Sequence, residues 1–430
     1  MSPSGDAEFV LLGIPDVNGS LRGKALRPVA FESALRHGTV MTDLILGLDP
    51  VDVPITDYDR FGIHSGAADL LVDPDPTTLH NMRWRPGWRV CLATPRWPDG
   101  AACEYAPREV LRAVLEAMAG IGHEVVAAVE YEIRLRDADG HPMSSGISYS
   151  LAELGRFGGF VAALAPALEE LGVELSAVHT EAGPGLLELN LGHRPALRAA
   201  DDATLVKFAV KELATSMGLI ASFLAKTVPG EEGSSGHIHM SCWNGETNTF
   251  AASNASDAMP PVFAAAVAGV IDHLPAASLL LNPTVNSYKR LVPGWFAPVN
   301  ASWGFENRSC AIRVIRSSRP ELWRLECRRP GADANPYLAL AAVVASAADG
   351  IRRAAVPPPA IEGDAYARSD LPALPGSLES ALGAFGKDEV LRQALGRHFS
   401  EYYATSRAWE LKAWRESVTD WERDRYERSV

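Results

Sequence analysis

The sequence predicts an α+β fold in two parts, a small β-rich domain at residues 1–104 and a larger mixed domain at residues 105–430. Up to about residue 104, short apolar runs are broken by Pro, Gly and Asp, a pattern typical of short strands joined by turns. Trp97-Pro-Asp-Gly100 then predicts a turn, and Ala106-Pro-Arg-Glu109 predicts a helix that continues to about Met118. Beyond this junction strand-like and helix-like stretches mix, so the domain boundary is placed there.

Short apolar runs carry the prediction of the β-rich domain. They are Phe9–Ile14, Val29–Phe31, Leu44–Leu48, Ala68–Val72 and Trp88–Ala93.

The second domain combines strands of period two with amphipathic or apolar helices. The predicted strands are Val125–Leu135, Glu174–His179, Leu186–Leu191, Ile220–Ala225, His237–Trp243, Cys310–Ile315 and Leu322–Cys327. The predicted helices are Gly155–Gly172, Ala203–Met217, Val262–His273, Asn335–Ile351 and a polar tail ending near Trp409–Glu427, with a loop at Pro357–Pro375.

Composition limits the classes of partner. The chain has 430 residues, 47% of them hydrophobic and 22% charged, as expected of a soluble globular protein. A net charge of -13 argues against nucleic acid or an anionic membrane as the main partner. Any anionic substrate would therefore be held by local groups of arginines.

Other features predict a cytoplasmic protein. The five cysteines are scattered without a C-x-x-C pair, which fits a reducing compartment and provides no zinc site. The segment Met1–Ala7 is polar and unlike a signal peptide, and the apolar stretch Val262–Val270 is predicted to be too short to span a bilayer.

Two pairs of glutamates stand where a strand pattern can direct them. Glu130 and Glu132 alternate along one strand and so share a face. Glu181 and Glu188 bracket the turn Ala-Gly-Pro-Gly, which can direct both acids at one point. Taken alone, each pair is about as well explained by a solvent-facing strand or loop.

Two histidines and a group of arginines follow. His237 and His239 share a strand face behind the segment Gly233-Ser-Ser-Gly236, which lets backbone approach a ligand closely. Arg324, Glu326 and Arg328 share a face of a later strand. Cations concentrate between residues 290 and 330, and Arg suits bidentate recognition of carboxylate and phosphate: Arg290, Arg308, Arg313, Arg316, Arg324, Arg328 and Arg329. A solvated basic face is the alternative.

Together these residues favour one kind of chemistry. Five glutamates and a histidine form a hard-ligand set for Mg²⁺ or Mn²⁺, and the arginines suit polyanions. ATP-dependent phosphoryl transfer to a carboxylate requires this combination. The sequence has no Walker-type loop, dinucleotide fingerprint, H-E-x-x-H motif or nucleophile elbow.

The ordered motifs resemble the glutamine synthetase family of the bacterial type, over nearly the whole chain and most closely over residues 230–340. Besides the strands above, the resemblance rests on Asn282-Pro-Thr-Val-Asn-Ser-Tyr-Lys-Arg-Leu-Val-Pro-Gly294 and Asn335-Pro-Tyr-Leu338. It implies an N-terminal β-grasp domain and a catalytic domain with a curved antiparallel sheet flanked by helices. It also implies a homo-oligomeric ring, commonly a dodecamer, with each active site shared between neighbouring subunits.

The resemblance also implies roles for individual residues. The residues matching ligands of two divalent metals are Glu132, Glu181 and Glu188 for the first and Glu130, His237 and Glu326 for the second. Those matching the groups that hold glutamate are Gly233, His237, Arg290 and Arg328, and those on the ATP side are Ser241, Arg308, Arg313 and Arg324. Arg308, Glu181 and Asp43 are the expected catalytic residues. The family reaction makes γ-glutamyl phosphate from glutamate and ATP, and an amine nitrogen then displaces phosphate.

The sequence departs from the family pattern at the nitrogen substrate. Where glutamine synthetases have an aromatic residue followed by a glutamate, this chain has Trp295 and Phe296. In the N-terminal domain Asp43 is the nearest match to the ammonium-binding Asp, and Leu46 stands at the Ser position. A drier pocket suits an amine with a hydrocarbon body, because an unpaired buried cation is costly. We therefore expect a primary organic amine, such as a polyamine, ethanolamine or an alkylamine, as the acceptor.

Three alternatives stay open. The first is an ordinary ammonia-using glutamine synthetase with Asp43 as proton acceptor. The second is a catalytically silent ring that serves as a scaffold. A carboxylate–metal hydrolase without ATP would leave the arginines unexplained. A polyamine would be accommodated if Asp43 or Glu306 faced the channel.

Overall fold

The computed structural model describes residues 7–252 and 258–430 and has the α+β fold predicted from the sequence. Its strands form two sheets, one of six strands near the N-terminus and one of ten strands in the remainder.

The N-terminal sheet surrounds a small core. Its strands are β1 (Phe9–Pro15), β2 (Leu21–Leu26), β3 (Thr39–Thr42), β4 (Asp69–Pro74), β5 (His80–Asn81) and β6 (Trp88–Arg96). They lie in the order β2-β1-β6-β4-β3 with β5 beside β6, and β1 runs parallel to β6. Helix α1 (Pro28–His37) packs Phe31 against Val10, Leu12 and Val72.

Two apolar runs assigned to the β-rich part are not strands. Val29–Phe31 lies in α1, because Pro28 at the first helical position starts a helix whose Phe31 and Ala34 face the core. Leu44–Leu48 covers a single 3₁₀ turn at Asp43–Leu46, where the Thr42 hydroxyl accepts a hydrogen bond from the Leu44 backbone.

The second sheet is built around one long strand. Its members are β7 (Glu124–Arg136), β8 (Leu175–Thr180), β9 (Leu186–Leu191), β10 (Arg194–Pro195), β11 (Ile220–Ser222), β12 (Gly236–Asn244), β13 (Thr247–Asn248), β14 (Trp303–Phe305), β15 (Ile312–Ile315) and β16 (Arg324–Cys327). The main order is β14-β15-β16-β12-β7-β9-β8, and β10 and β11 also pair with β7. The pairs are antiparallel apart from β14 with β15.

Helices cover this sheet and form the largest part of the core. They are α2 (Pro107–Ala119), α3 (Leu151–Leu154), α4 (Gly158–Glu170), α5 (Ala196–Ser216), α6 (Pro261–Leu281), α7 (Ser287–Arg290), α8 (Pro336–Arg352), α9 (Leu378–Lys387), α10 (Glu389–Ala394), α11 (Arg397–Glu416) and α12 (Asp420–Tyr426). Two helices are longer than the sequence predicts: α5 begins at Ala196, and α6 continues through Pro275 to Leu281.

The length of α6 corrects the expectation that its apolar stretch is too short for a bilayer. Leu151–Glu170 and Pro261–Leu281 are both long and apolar enough to cross a membrane by length and composition. However, 83% of the apolar window of α6 is buried inside the protein, as in a core helix. The other stretch is broken by a 3₁₀ turn at Gly155–Phe157, and α4 alone rises about 20 Å against roughly 30 Å of hydrocarbon.

Helices α6 and α8 cross where two glycines meet. A Cβ built on Gly269 would lie 2.2 Å from the Ser346 carbonyl oxygen and 2.7 Å from the Gly350 Cα. Both obstacles are backbone atoms, so the helices would have to separate to admit a side chain.

We predict that Gly269→Ala lowers the free energy of unfolding by about 1–3 kcal/mol through overpacking, read out as a lower thermal midpoint. Gly383→Ala is the matched control, because it lies inside α9 with no described atom within 4 Å of the new Cβ. That control should leave the midpoint unchanged or raise it. Equal midpoints for both variants would show that the α6–α8 contact is not tight.

A histidine on α6 joins two other helices. His273 Nδ1 lies 2.7 Å from Asp388 at the start of α10, and its Nε2 lies 3.0 Å from Asp349 of α8. Burial alone would lower the pKa of His273, but hydrogen bonds to Asp388 and Asp349 outweigh burial and raise it.

Because the pKa of His273 is raised on folding, its stabilisation is present below the ordinary value of 6.5 and is lost as pH rises through the raised pKa. We predict that His273→Asn reduces the free energy of unfolding more at about pH 6 than at about pH 9. Urea unfolding at both pH values checks this, with the exposed His64→Asn as control. A pH-independent loss would contradict the linkage.

Candidate active site

Antiparallel pairing on β7 brings acidic and imidazole side chains to one face of the second sheet. Glu130 pairs with His237 of β12, and two residues on, Glu132 pairs with Glu188 of β9. Because side chains two apart share a face, the residues of three strands that were selected from the sequence converge here.

The same register continues outward on both sides. His239 pairs with Glu326 of β16, which pairs in turn with Arg313 of β15. On the opposite side, His179 of β8 pairs with Glu188. The result is a row of charged groups that runs from β15 across to β8.

Three overlapping groups in this row have ligand atoms within 4.8 Å of one another. They are Glu130–Glu188–His237, Glu130–His239–Glu326 and His179–Glu181–Glu188. The three groups together contain seven residues. We call all of them except His179 the central cluster: Glu130, Glu181, Glu188, His237, His239 and Glu326. Carboxylate oxygens with imidazole nitrogens suit Mg²⁺ or Mn²⁺.

Electrostatics divides the cluster into two sides. Burial opposes ionisation of Glu326, but Arg328, His239 and His237 outweigh it and lower its pKa to about 2. The pKa of Glu181 is instead raised to about 7 by burial and by the neighbouring carboxylates of Glu132 and Glu188. The carboxylates on the β8–β9 side therefore repel one another, and a bound cation would relieve that repulsion.

One further observation fits a metal. The His237 Nε2 atom is buried and has no hydrogen-bond partner among the described residues. A buried imidazole nitrogen without a partner is costly unless a ligand completes it. The residues present therefore fit a divalent cation held at this row.

Glu132 stands slightly apart from the three groups. Its Oε2 accepts a 2.7 Å hydrogen bond from the Ser235 backbone N–H. Burial raises the pKa of Glu132, and His237 opposes that rise, so the carboxylate still lies in the field of the cluster.

Two histidines at the site were not assigned roles from the sequence. His239 had been placed on the His237 face, and its Nε2 lies 3.0 Å from Glu130. His179 was not singled out; its Nε2 lies 3.1 Å from Glu188 and its ring stacks on Tyr149. Its place opposite Glu188 across the hairpin was the signal that would have identified it.

Several predicted arginines converge on the same row. Arg313 donates to Glu326 over 3.1 Å and to Glu306 over 2.7 Å. Arg328 also donates to Glu326, and Arg324 donates from Nε to His239 over 3.0 Å.

Arg290 is held in the interior beside Gly233. The guanidinium of Arg290 is 1% exposed and donates to the Ser235 hydroxyl over 3.2 Å. A Cβ on Gly233 would lie 2.3 Å from Arg290 Cγ and 2.4 Å from the Ala225 carbonyl oxygen, so only glycine fits.

One cavity opens onto the row, and a second is lined by Glu306, which accepts a hydrogen bond from Arg313 of the row. The inner cavity, of about 340 Å³, is lined by Glu130, His239, Ser241 and Arg324. The outer cavity, of about 890 Å³, is lined by Phe296, the exposed Arg308 and residues of the loop after Ala360. Predicted ATP-side residues thus line the inner cavity, while Arg308 and a predicted substrate residue line the outer one.

The acceptor residues are arranged differently from the sequence expectation. Phe296 lines the outer cavity at a left-handed φ of 51° and is 60% exposed. Trp295 is absent from that lining and stacks beneath Lys226, whose Nζ lies 4.1 Å from the ring centroid. Three carboxylates share the cavity, Glu306, Glu362 and Asp364, so this entrance is less apolar than expected.

Asp43 and Leu46 do not reach the row within one chain. The Asp43 carboxylate accepts hydrogen bonds from the Ser65 hydroxyl and the Gly62 backbone. Leu46 is 7% exposed and packs in the core with Phe61 and Tyr105, so it cannot line an acceptor pocket of its own chain. The expectation that Leu46 makes the acceptor pocket drier stays a prediction, because that pocket is expected between neighbouring subunits.

Comparison with known proteins agrees with the geometry. Residues 104–426 match the family described as glutamine synthetase, catalytic domain. A glutamate–isopropylamine ligase from a Pseudomonas species is 33% identical, covering 97% of this chain and 95% of that protein. A glutamine synthetase from Thermus thermophilus is also 33% identical, covering 98% and 96%. The solved structure of apo GmaS without ligand has a TM-score of 0.87 at 29% identity, covering 98% of this chain and 97% of that chain.

The family match covers most of the chain, and these relatives exceed 30% identity over nearly all of it. The protein therefore belongs to the glutamine synthetase family and is an ATP-dependent ligase.

Proposed function

We propose that this protein joins L-glutamate to a primary organic amine to form a γ-glutamyl amide. An oxygen of the γ-carboxylate attacks the terminal phosphorus of ATP, and the bond to the ADP oxygen breaks. The amine nitrogen then attacks the acyl carbon, the carbon–oxygen bond to phosphate breaks, and the nitrogen loses a proton. An alkylamine, ethanolamine or a polyamine is the expected acceptor.

The observation that carries the proposal is the ring of Phe296 on the wall of the outer cavity, beside Arg308. In the family pattern this position holds a glutamate suited to ammonium. A phenyl ring cannot neutralise a bare ammonium ion, but it can cover the hydrocarbon part of a larger amine.

Different residues in and around the two cavities can bind the nucleotide, the acid substrate and the transferring phosphoryl group. Ser241 and Arg324 in the inner cavity can contact the nucleotide and its phosphates. Arg290 and Arg328 can bind the acid substrate, and Arg308 and Arg313 can stabilise charge on the transferring phosphoryl group.

Divalent cations are expected at Glu130, Glu132, Glu181, Glu188, His237 and Glu326, with His179 and His239 as neighbours. When bound, Mg²⁺ or Mn²⁺ neutralises the phosphates and the developing charge. The chain itself orients these groups, because Ser235 fixes Glu132 and Asn190 donates to Glu188 over 2.8 Å.

We expect the subunits to form a ring, a dodecamer, and such a ring would explain how Asp43 takes part in the reaction. Its partners lie within its own N-terminal segment, so Asp43 can serve a nitrogen substrate only at the active site of a neighbouring subunit.

An ordinary glutamine synthetase is the second candidate, favoured by the carboxylates of Glu306, Glu362 and Asp364 in the outer cavity. Glu306 is already engaged by Arg313. Glu362 and Asp364 are exposed, where water screens their attraction for ammonium.

We predict that chelation abolishes ATP-dependent phosphate release and that Mg²⁺ or Mn²⁺ restores it. Glu188→Ala should raise the half-saturating Mg²⁺ concentration at least about tenfold, because it removes a carboxylate shared by two of the groups. Binding of Mn²⁺, followed by electron paramagnetic resonance, gives a readout that does not depend on turnover.

Asp139→Asn is the control for this metal experiment. Asp137, Asp139 and His141 also lie within 4.8 Å of one another, but at a surface turn. This change should leave metal dependence unaltered. Unchanged Mn²⁺ binding by Glu188→Ala would refute the assignment of the β9 carboxylate.

We predict that Phe296→Glu raises kcat/KM for ammonia about tenfold and lowers it for alkylamines, because a carboxylate stabilises a compact cation. Phosphate release with glutamate and ATP, measured across a panel of amines and ammonia, checks this.

Val390→Glu provides the matched change at an exposed apolar residue of α10. It should alter neither rate. If ammonia is the best acceptor of the unaltered protein, the amine-ligase proposal fails and the ordinary glutamine synthetase stands.

A further inference from the structure

Tyr366 has a hydroxyl group that the fold leaves without a partner. It lies in a 3₁₀ turn at Ala365–Ala367, where the Asp364 side chain accepts a hydrogen bond from the Tyr366 backbone. The Tyr366 hydroxyl oxygen is buried and makes no hydrogen bond to the described residues. A buried tyrosine hydroxyl normally finds a partner, because an unpaired buried donor is destabilising.

The position of Tyr366 indicates which side chains would surround a hydrogen-bond partner of its hydroxyl. Its side chain lines the outer cavity together with Phe296 and Arg308. Burial raises the pKa of Tyr366 to about 12, although the positive charges of Arg328 and Arg290 oppose that rise. The hydroxyl is therefore a neutral donor at physiological pH. Arg328 reaches the same wall of the cavity, because its Nε donates to the carbonyl oxygen of Arg308 over 3.1 Å.

Guanidinium groups offer only donors, so neither arginine can accept the Tyr366 proton. The group that satisfies all three side chains at once is an anion with several acceptor oxygens, such as a carboxylate. Arg290 also keeps a buried Nε without a partner among the described residues, which is a second unfilled donor.

We propose that the Tyr366 hydroxyl donates a hydrogen bond to a carboxylate of the acid substrate that Arg290 and Arg328 bind. This inference rests on the proposed function, because it assumes that the acid substrate is glutamate. It makes Tyr366 a substrate-binding residue contributed by the loop after β16 and α8, outside the strands that carry the central cluster.

Tyr366→Phe removes only the hydroxyl. A hydrogen bond to a charged group contributes about 1.5–3 kcal/mol, so KM for glutamate should rise at least about tenfold. KM for ATP and kcat should stay unchanged, because the contact is made equally in the ground state and the transition state. The thermal midpoint without ligands should not fall, because the hydroxyl stabilises nothing in the free protein.

Tyr403→Phe is the matched control for a structural role. Its hydroxyl is equally buried but donates to the Leu279 carbonyl oxygen over 3.2 Å. This variant should lower the thermal midpoint and leave KM for glutamate unchanged, the reverse of the pattern expected for Tyr366→Phe.

The outcomes separate this inference from the proposed function. If the unaltered protein uses glutamate and Tyr366→Phe has the same KM for it, the inference is overturned and the proposed function stands. If the unaltered protein binds glutamate without consuming it, weaker binding by Tyr366→Phe in calorimetry supports the contact while the proposed reaction fails. A protein that neither binds nor consumes glutamate overturns both.

Discussion

The crowding of half-buried carboxylates on one face of β7 is the constraint on which the site depends. Glu130 and Glu132 must share that face because they are two residues apart on a strand, and pairing adds Glu188 directly opposite. Like charges in a low-dielectric setting repel strongly, so the surrounding protein has to compensate.

Compensation is unequal on the two sides. Toward β16, His239, Arg313 and Arg328 surround Glu326 and keep it ionised. Toward β8, His179 lies within 3.4 Å of Glu181 and 3.1 Å of Glu188, and the pKa of Glu181 still rises to about 7. This asymmetry separates a side neutralised by protein cations from a side whose carboxylates fit a divalent cation. A phosphate group bound between the two sides would contact protein cations on one side and a bound metal cation on the other.

Sequence reasoning was accurate where one residue pattern decided the local structure. Strands β7, β9 and β12 were found because alternation continues over many residues, and the start of α2 because Pro stands at its first position. It was wrong for Val29–Phe31 and for Leu44–Leu48, where three to five apolar residues fit a strand and a helical turn equally. It ended α6 at His273, whereas the helix continues through Pro275 to Leu281.

The sequence by itself determined which side chains share a face of each strand, and hence that acids, imidazoles and guanidiniums lie on the polar faces of their strands. That conclusion needs only the two-residue period of a strand. Tertiary structure decided which strands are neighbours and in what register, and this brought His179 to Glu188 and left Asp43 bonded to its own loop. It also decided that Phe296 shares its cavity with three carboxylates and with Tyr366. These contacts join residues far apart in the chain, and no local pattern encodes the distance between them.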